Sequence, residues 1–313
     1  MREKLGPVTL PLGISESITK DFNLTLYRFD DEDFHVLRHG DTSTESPIYL
    51  RIESACTFAH LYGSRLCDCE QQLRRALKVI SRERGILIYA LDQHGRGVGL
   101  GEHVKVYEVE QTGLDTVEAH KELGFEVDAR NYQHIHTILE DLGVRRIKLL
   151  TNNPERVNFL NDKLDYVQRV PFEASLDAYN IRELMIKKEK MGHLLSFKTD
   201  RMWMKELQEN REGQFAIVDN NTDAVFSTPD LSHVDAYLAG AQSKERAIIS
   251  IYYLSNELVQ DEIEKTVSKI GKMLPDNLNV RIIFNGNIST KKGKKVYSRA
   301  RERGFRELKI ISS

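Results

Sequence analysis

Cysteine is scarce in this chain: three in 313 residues, alongside a single tryptophan and seven prolines. So few thiols exclude a disulfide-stapled secreted scaffold. All three, Cys56, Cys67 and Cys69, fall within one fourteen-residue window. An odd, clustered set in a reducing compartment suits a metal better than a disulfide. Long hydrophobic runs are also missing. No stretch approaches the roughly 18 to 20 apolar residues of a membrane span, and Met1-Arg2-Glu3-Lys4-Leu5-Gly6-Pro7 lacks the apolar core of a secretory leader. Nor does one charge dominate. Basic residues number 45 and acidic ones 47, a formal net charge of -2, so no global field draws the chain to nucleic acid or to a membrane. These absences leave a cytoplasmic enzyme as the expectation, with neither membrane nor nucleic acid as partner.

What is present is ordinary globular material, 40% apolar and 29% charged, in a chain long enough for two domains with a core each. Residues 1–196 alternate short apolar runs with helical periodicity, the pattern of an α/β domain. Ile86 to Leu91 reads as a buried strand. Before it, Leu73, Ala76, Leu77 and Ile80 make one face of a helix stopped by Gly85. Asp115-Thr116-Val117-Glu118 has the form of a capping box. Ile135, Ile138, Leu139 and Leu142 form a further helical stripe, and Ile147 to Leu150 a strand leading into Thr151-Asn152-Asn153-Pro154, where proline suits a first helical position. Such a strand-to-helix turn favours anions.

After the charged stretch Lys187-Lys188-Glu189-Lys190 a second pattern begins, and residues 197–313 read as a smaller α+β domain. Strands near Phe215–Val218 and Ala224–Ser227 are joined through the hairpin-like Asn220-Asn221. Helical and strand patterns then alternate to Leu308–Ile311. Asn285 to Lys295, with Arg299, Arg301 and Arg303, is locally basic. It reads as a solvated helix face, with a phosphate site or nucleic-acid contact as the rivals.

Thiolates are soft ligands that suit zinc, and a trio supplies three of the four positions a tetrahedral ion takes. A three-ligand site leaves one position for water, whose pKa zinc lowers from 15.7 to about 7. Two other readings stand beside this one: a structural zinc closed by His60, and three inert buried thiols. Gly95, Gly97, Gly99 and Gly101 follow a strand, but their spacing is not that of a dinucleotide-binding loop.

Arg51-Ile52-Glu53-Ser54-Ala55-Cys56 and Ser64-Arg65-Leu66-Cys67-Asp68-Cys69-Glu70-Gln71-Gln72-Leu73 carry a resemblance. So do Asp92 to Leu100, Asp115 to Ala119, Leu123 to Arg130, Leu149 to Pro154 and Lys190 to Leu195. In this order they resemble GTP cyclohydrolase II, from His35 to Leu195. The resemblance implies a mixed sheet with flanking helices, a homodimer, one zinc per chain, and magnesium on the nucleotide phosphates. It implies conversion of GTP to a diaminopyrimidine ribotide, formate and pyrophosphate. Cys56, Cys67 and Cys69 match the family's zinc ligands. Asp128 matches its proton acceptor, Arg130 an arginine with a nucleophilic or α-phosphate role, and Tyr107 a tyrosine needed for full turnover. Gln72, Arg96, Thr116 and Thr151 match nucleotide-contacting positions. Arg156 stands where the family has lysine, and Arg51, Ser54 and His94 join the expected substrate contacts.

The residue types suit that chemistry. Water adds at C8 of the base, a ring nitrogen accepts a proton as the C–N bond breaks, and arginines fork onto phosphate oxygens. The chain also departs from the pattern. The family's His-Ser-Glu before the first cysteine becomes Glu53-Ser54-Ala55, and a following Gly-Asp becomes Ala59-His60. Arginine before the second cysteine becomes Leu66, and the glutamate of Glu-Gly-Arg becomes His94. A site that loses a hydrogen-bonding carboxylate forfeits about 1–3 kcal/mol per unmatched partner. Hydrolysis of GTP, the same chemistry on another nucleotide or halted at a formamidopyrimidine, and a non-catalytic nucleotide-binding regulator are therefore the three expectations.

Overall fold

The computed structural model describes residues 1–43, 45–210, 215–220, 222–228, 234, 237–238, 248–254, 260–274, 279–285, 296, 298 and 300–311. These form two compact units. The first contains residues 1–107, 116–175 and 186–196, and the second residues 108–115, 176–185 and 197–313.

The first unit is built on a seven-stranded sheet. The first strand that the sequence pattern singles out is Ile86–Leu91, and four precede it: β1 (Glu3–Ser15), β2 (Ile18–Arg28), β3 (Asp33–His39) and β4 (Ile48–Ser54). Pro7 and Pro11 mask the alternation of Val8, Leu10, Leu12 and Ile14 in β1, and proline is tolerated there because β1 lies at the sheet edge. Then come α1 (Thr57–His60), α2 (Cys69–Arg82), β5 (Gly85–Ala90), a 3₁₀ turn (His94–Gly97), α3 (Leu100–Glu110), α4 (Thr116–Glu122), α5 (Gln133–Asp141), β6 (Arg146–Leu150), α6 (Pro154–Asn161), β7 (Tyr166–Val170) and α7 (Ile181–Met191), with residues 108–110 of α3 and 181–185 of α7 counted in the second unit. Gly85, expected to stop a helix, is the first residue of β5.

The strand order is β1-β2-β3-β5-β4-β6-β7. β4 runs parallel to β5 on one flank and to β6 on the other. The chain thus leaves β4 first to one side and then to the other. This makes β4 a topological switch point, beyond whose carboxyl end ligands of open α/β sheets bind. Alternation along β4 sorts its side chains. Ile48, Leu50 and Ile52 join Ile86, Ile88, Ile135, Ile138 and Leu139 in the larger core. Arg51 and Glu53 pair in register with Leu87 and Tyr89, on the opposite, α2-facing side.

The second unit contains α8 (Asp200–Asn210), β8 (Phe215–Asp219), β9 (Ala224–Thr228), β10 (Ile248–Tyr253), α9 (Gln260–Gly271), β11 (Asn279–Asn285) and β12 (Glu307–Ile311). Its sheet order is β12-β11-β10-β8-β9. β10, β11 and β12 are parallel; β8 and β9 are antiparallel. One face packs Ile249, Ile251, Val280 and Ile282 against Ile263 and Val267 of α9. On the other, Trp203 and Leu207 of α8 cover Ala216, Val218 and Tyr252. Asn220 is buried, donating to Ile248 O (3.0 Å) and Ser250 Oγ (2.7 Å); Asn221, the basic stretch 286–295 and Arg299 lie outside the described residues.

Candidate metal centre and nucleotide site

Cys56 follows the carboxyl end of β4 and caps α1, while Cys69 opens α2. The hairpin between them folds back, bringing the three sulfurs within 4.8 Å of one another. Cys56 Sγ and Cys67 Sγ are 3.8 Å apart. A disulfide needs about 2.05 Å, whereas thiolates bound at about 2.3 Å on a tetrahedral ion sit roughly 3.8 Å apart. The separation fits a shared ion. A hydrogen bond with Cys67 pulls the Cys56 thiol pKa down, but Cys69 and burial outweigh it and push it up to about 12. Cys67 is raised foremost by its hydrogen bond with Cys56. Cys69 is raised too, its hydrogen bond with Cys56 being outweighed by Cys67 and burial. Three crowded thiols resist ionising together, and a dication is the counter-charge that would let them. The donor set therefore fits zinc.

Among the described residues, this trio is the group of ligand atoms that converges, and His60 is not part of it. Its Nδ1 lies 2.8 Å from Tyr89 Oη and accepts from the Cys56 amide at 3.3 Å.

Beneath the cysteines runs a polar array. Arg51 Nε donates to Glu53 Oε2 (2.9 Å) and Nη1 to Leu150 O (2.9 Å). Arg51 Nη2 donates to Gln72 Oε1, and Gln72 Nε2 to Asp68 Oδ2. Lys187 Nζ completes it on Asp68 Oδ1 at 2.9 Å. Arg51 and Gln72 are thus brought together, bonded to each other, and Gln72 in turn to Asp68, the residue between Cys67 and Cys69.

A second cluster gathers on Ser54, the last residue of β4. Its hydroxyl accepts from Arg156 Nη2 (3.1 Å) and Arg130 Nη1 (3.5 Å) and donates to Gln93 Oε1 (3.1 Å). Arg156 is buried and also donates to Ile52 O (2.7 Å) and Tyr132 Oη (3.4 Å). Arg130 forks onto Asp128 through Nε (2.7 Å) and Nη2. Burial alone would raise the Asp128 carboxyl, but the Arg130 hydrogen bonds and charge hold it below the usual range. Nearby His193 is pushed down to about 3, first by burial and then by the charges of Lys187, Arg130 and Arg156. This is where positive potential concentrates.

The remaining expected residues frame these clusters. Gly97 lies against the backbone of Ala129 and Arg130, and Arg96, left-handed at φ +62°, accepts from the Ala129 amide at 2.9 Å. His94 Nδ1 is 3.5 Å from Thr57 Oγ1, and burial lowers its pKa. The Tyr107 ring packs on Phe58 (5.6 Å) and His103 (4.6 Å). Thr116 is buried at the start of α4, its carbonyl 2.7 Å from His120 Nδ1. Thr151 Oγ1 accepts from the Asn153 amide (3.1 Å), and Asn153 Oδ1 from the Glu155 amide (2.8 Å). Of the Thr151–Asn153 amides read as favouring anions, that of Asn153 is therefore engaged by Thr151 Oγ1 and that of Thr151 by Val170 O (3.3 Å). Glu53, Tyr89, Asp68, Gln93, Lys187 and His193 were not singled out as site residues by sequence reasoning, and His60 was weighed only as a fourth ligand of a structural zinc, a group it does not join. The signal for Glu53, Asp68, Gln93 and His193 was their place in the motifs around Cys56, Cys67, Arg96 and Leu194; for Tyr89 and Lys187 only the fold supplies it.

Comparison with known proteins agrees with the motifs. The family model for GTP cyclohydrolase II matches residues 14–171. A riboflavin biosynthesis protein RibBA from Chlorobium phaeovibrioides is 43% identical over 180 residues, 56% of this chain and 44% of that one. The RibBA protein of Aquifex aeolicus is 39% identical over 177 residues, 55% of this chain and again 44% of the relative. A GTP cyclohydrolase-2 from Neisseria meningitidis is 40% identical over 177 residues, 55% of this chain and 89% of the relative. The chain thus spans less than half the length of the two RibBA relatives. Among the described residues no helix is long and apolar enough to cross a membrane. With the family model covering half the chain and the three cysteines drawn together, this protein belongs to the GTP cyclohydrolase II family.

Proposed function

We propose that this protein is a zinc-dependent hydrolase that opens the imidazole ring of a purine nucleotide, GTP, releasing formate and pyrophosphate. The observation that carries the proposal is the convergence of three sulfurs within 4.8 Å, the Cys56–Cys67 pair at tetrahedral-edge spacing, with no fourth side-chain ligand in the group among the described residues. Zinc held by Cys56, Cys67 and Cys69 supplies Lewis acidity at an open position. Asp128, kept ionised by Arg130, takes up the proton that moves as the ring opens. Arg130 and Arg156, clustered on Ser54, set the positive field for the phosphates, with Arg96 beside them; magnesium, when bound to the nucleotide, would add counter-charge for the pyrophosphate. Tyr107, held beside α1 through Phe58, donates to the tetrahedral centre. Thr116, Thr151, Gln72 and Arg51 shape the nucleotide site, the last two from beneath. The enzyme works in the cytoplasm as a homodimer.

A second reading, the same chemistry on another purine or halted at the formamidopyrimidine, is favoured by one feature. His94, held neutral by burial, replaces the family's glutamate. Incubating zinc- and magnesium-loaded protein with GTP, dGTP, ATP and XTP, with products read by mass and formate release, separates the readings. GTP is expected to yield formate and pyrophosphate, and Cys67→Ser to abolish both. Ring-opened product without formate would select the second reading. Stoichiometric zinc with no ring opening on any nucleotide would leave a nucleotide-binding regulator.

A further inference from the structure

Two departures from the family's pattern meet in space. Where the family carries histidine this chain has Glu53, and where it carries aspartate this chain has His60. Glu53 Oε1 lies 4.0 Å from His60 Nε2, and both side chains are more than nine-tenths buried. In this chain a carboxylate and an imidazole thus face each other across one gap.

The hydrogen bonds dictate how the imidazole is held. The Cys56 amide donates to Nδ1, which also faces the Tyr89 hydroxyl. Nδ1 must therefore be the bare nitrogen, and the proton sits on Nε2. That buried Nε2 has no hydrogen-bond partner among the described residues. The charge in front of it is the Glu53 carboxylate, whose other oxygen is held by Arg51. From Arg51 the chain of bonds runs through Gln72 to Asp68, the residue between Cys67 and Cys69. One end of this array thus grips the backbone of the first cysteine and the other end the hairpin of the second and third.

Building on the metal-centre reading, we propose that Glu53 and His60 are an exchanged positioning pair that couples the Cys56 segment to the Cys67–Cys69 segment and sets the geometry of the metal centre. The carboxylate selects the His60 tautomer that accepts from the Cys56 amide, and through Arg51 it orients the residues that hold the hairpin. Partners at one remove from a metal tune its affinity in this way. Mere packing predicts something different: a buried pair in contact would couple in stability, but zinc affinity and the cobalt spectrum would not follow it.

A double-mutant cycle separates the two. Zinc affinity is measured by competition with a chromophoric chelator, and the visible spectrum is recorded for the cobalt-substituted protein. The chains compared are wild type, Glu53→His, His60→Asp and the double variant, with Glu53→Gln as an isosteric fifth. Each single change is expected to weaken zinc about 10–100-fold and to shift the cobalt–thiolate bands. The double variant, which restores the family's own pair, is expected to recover both. Single variants with wild-type affinity and spectrum would overturn the inference, as would a double variant whose losses multiply. If a single variant loses its fold, refolding of the double supports the pair and joint failure counts against it. Wild-type protein that binds no zinc would overturn the hydrolase reading itself, whereas zinc-binding wild type with indifferent variants would sink only the pair.

Discussion

Gly97 shows how tightly single residues constrain this site. Its φ is +92°, and a methyl group on it would lie 3.0 Å from Ala129 C and 3.1 Å from Arg130 N. Backbone stands in the way, which cannot swing aside as a side chain would. Gly99 has a similar φ of +98° but open space around it. Alanine at either position pays about 1–3 kcal/mol for the left-handed backbone. Gly97→Ala must also displace the segment that pairs Asp128 with Arg130, so its turnover is expected to fall well below that of Gly99→Ala. Thermal unfolding and formate release from the two variants check this; matching turnover would deny the contact any role. The cysteines were legible at this scale because thiol chemistry and spacing speak without a fold. Asp128 and Arg130 were legible only through the motif around them, since two charged residues two apart ordinarily form a surface pair. Glu53 and His60 were noticed as oddities, and nothing in their spacing foretold that they face each other.

Among the elements, α6 is the one whose start the sequence announces most clearly. Asn153 caps it, accepting from the Glu155 amide at 2.8 Å, with Pro154 in the first turn. Asn153→Ala is expected to cost about 1 kcal/mol of stability, the usual worth of such a cap, with Asn153→Asp close to wild type in chemical denaturation. The same turn was read as an anion cradle, and the structure shows why pattern alone oversteps: Thr151 and Asn153 spend their side-chain oxygens on the turn's own amides. The helical stripes of α2 and α5 follow from their apolar spacing. The strands β1 to β4 were missed for a physical reason. β1 alternates but carries prolines, and β4 places Arg51 and Glu53 within a buried strand, where an apolar run is the usual sign.

The molecule as a whole spends charge inside as well as outside. In the second unit Asp200 is fully buried, accepting from Arg281 Nη1 (3.0 Å) and Nη2 (2.7 Å), Lys309 Nζ (2.9 Å) and Tyr252 Oη (3.0 Å). Arg281, equally buried, also donates to Glu307 Oε2 at 2.6 Å. Burial opposes ionisation of Asp200, but Arg281 and Lys309 more than reverse it and hold its pKa far below the ordinary value. Asp200→Asn leaves this cationic pair short of a counter-charge and is expected to cost about 3–5 kcal/mol at neutral pH. Because folding lowers the Asp200 pKa, its contribution is complete above the unfolded value of about 3.9 and is lost as pH falls below it. Unfolding curves of wild type and Asp200→Asn should therefore lie farthest apart near neutrality and converge in acid; a gap independent of pH would refute the assignment. No sequence pattern announces such a network, whose members come from α8, β10, β11 and β12.

In the first unit, β4 is bonded to a parallel neighbour along each flank. To slide, it would have to tear two ladders at once. Cys56 therefore hangs from a line held on both sides, a bollard rather than a flap. Its two companions arrive on a hairpin moored by side chains. Whatever cargo the sulfurs grip, that mooring is the side that yields to its girth.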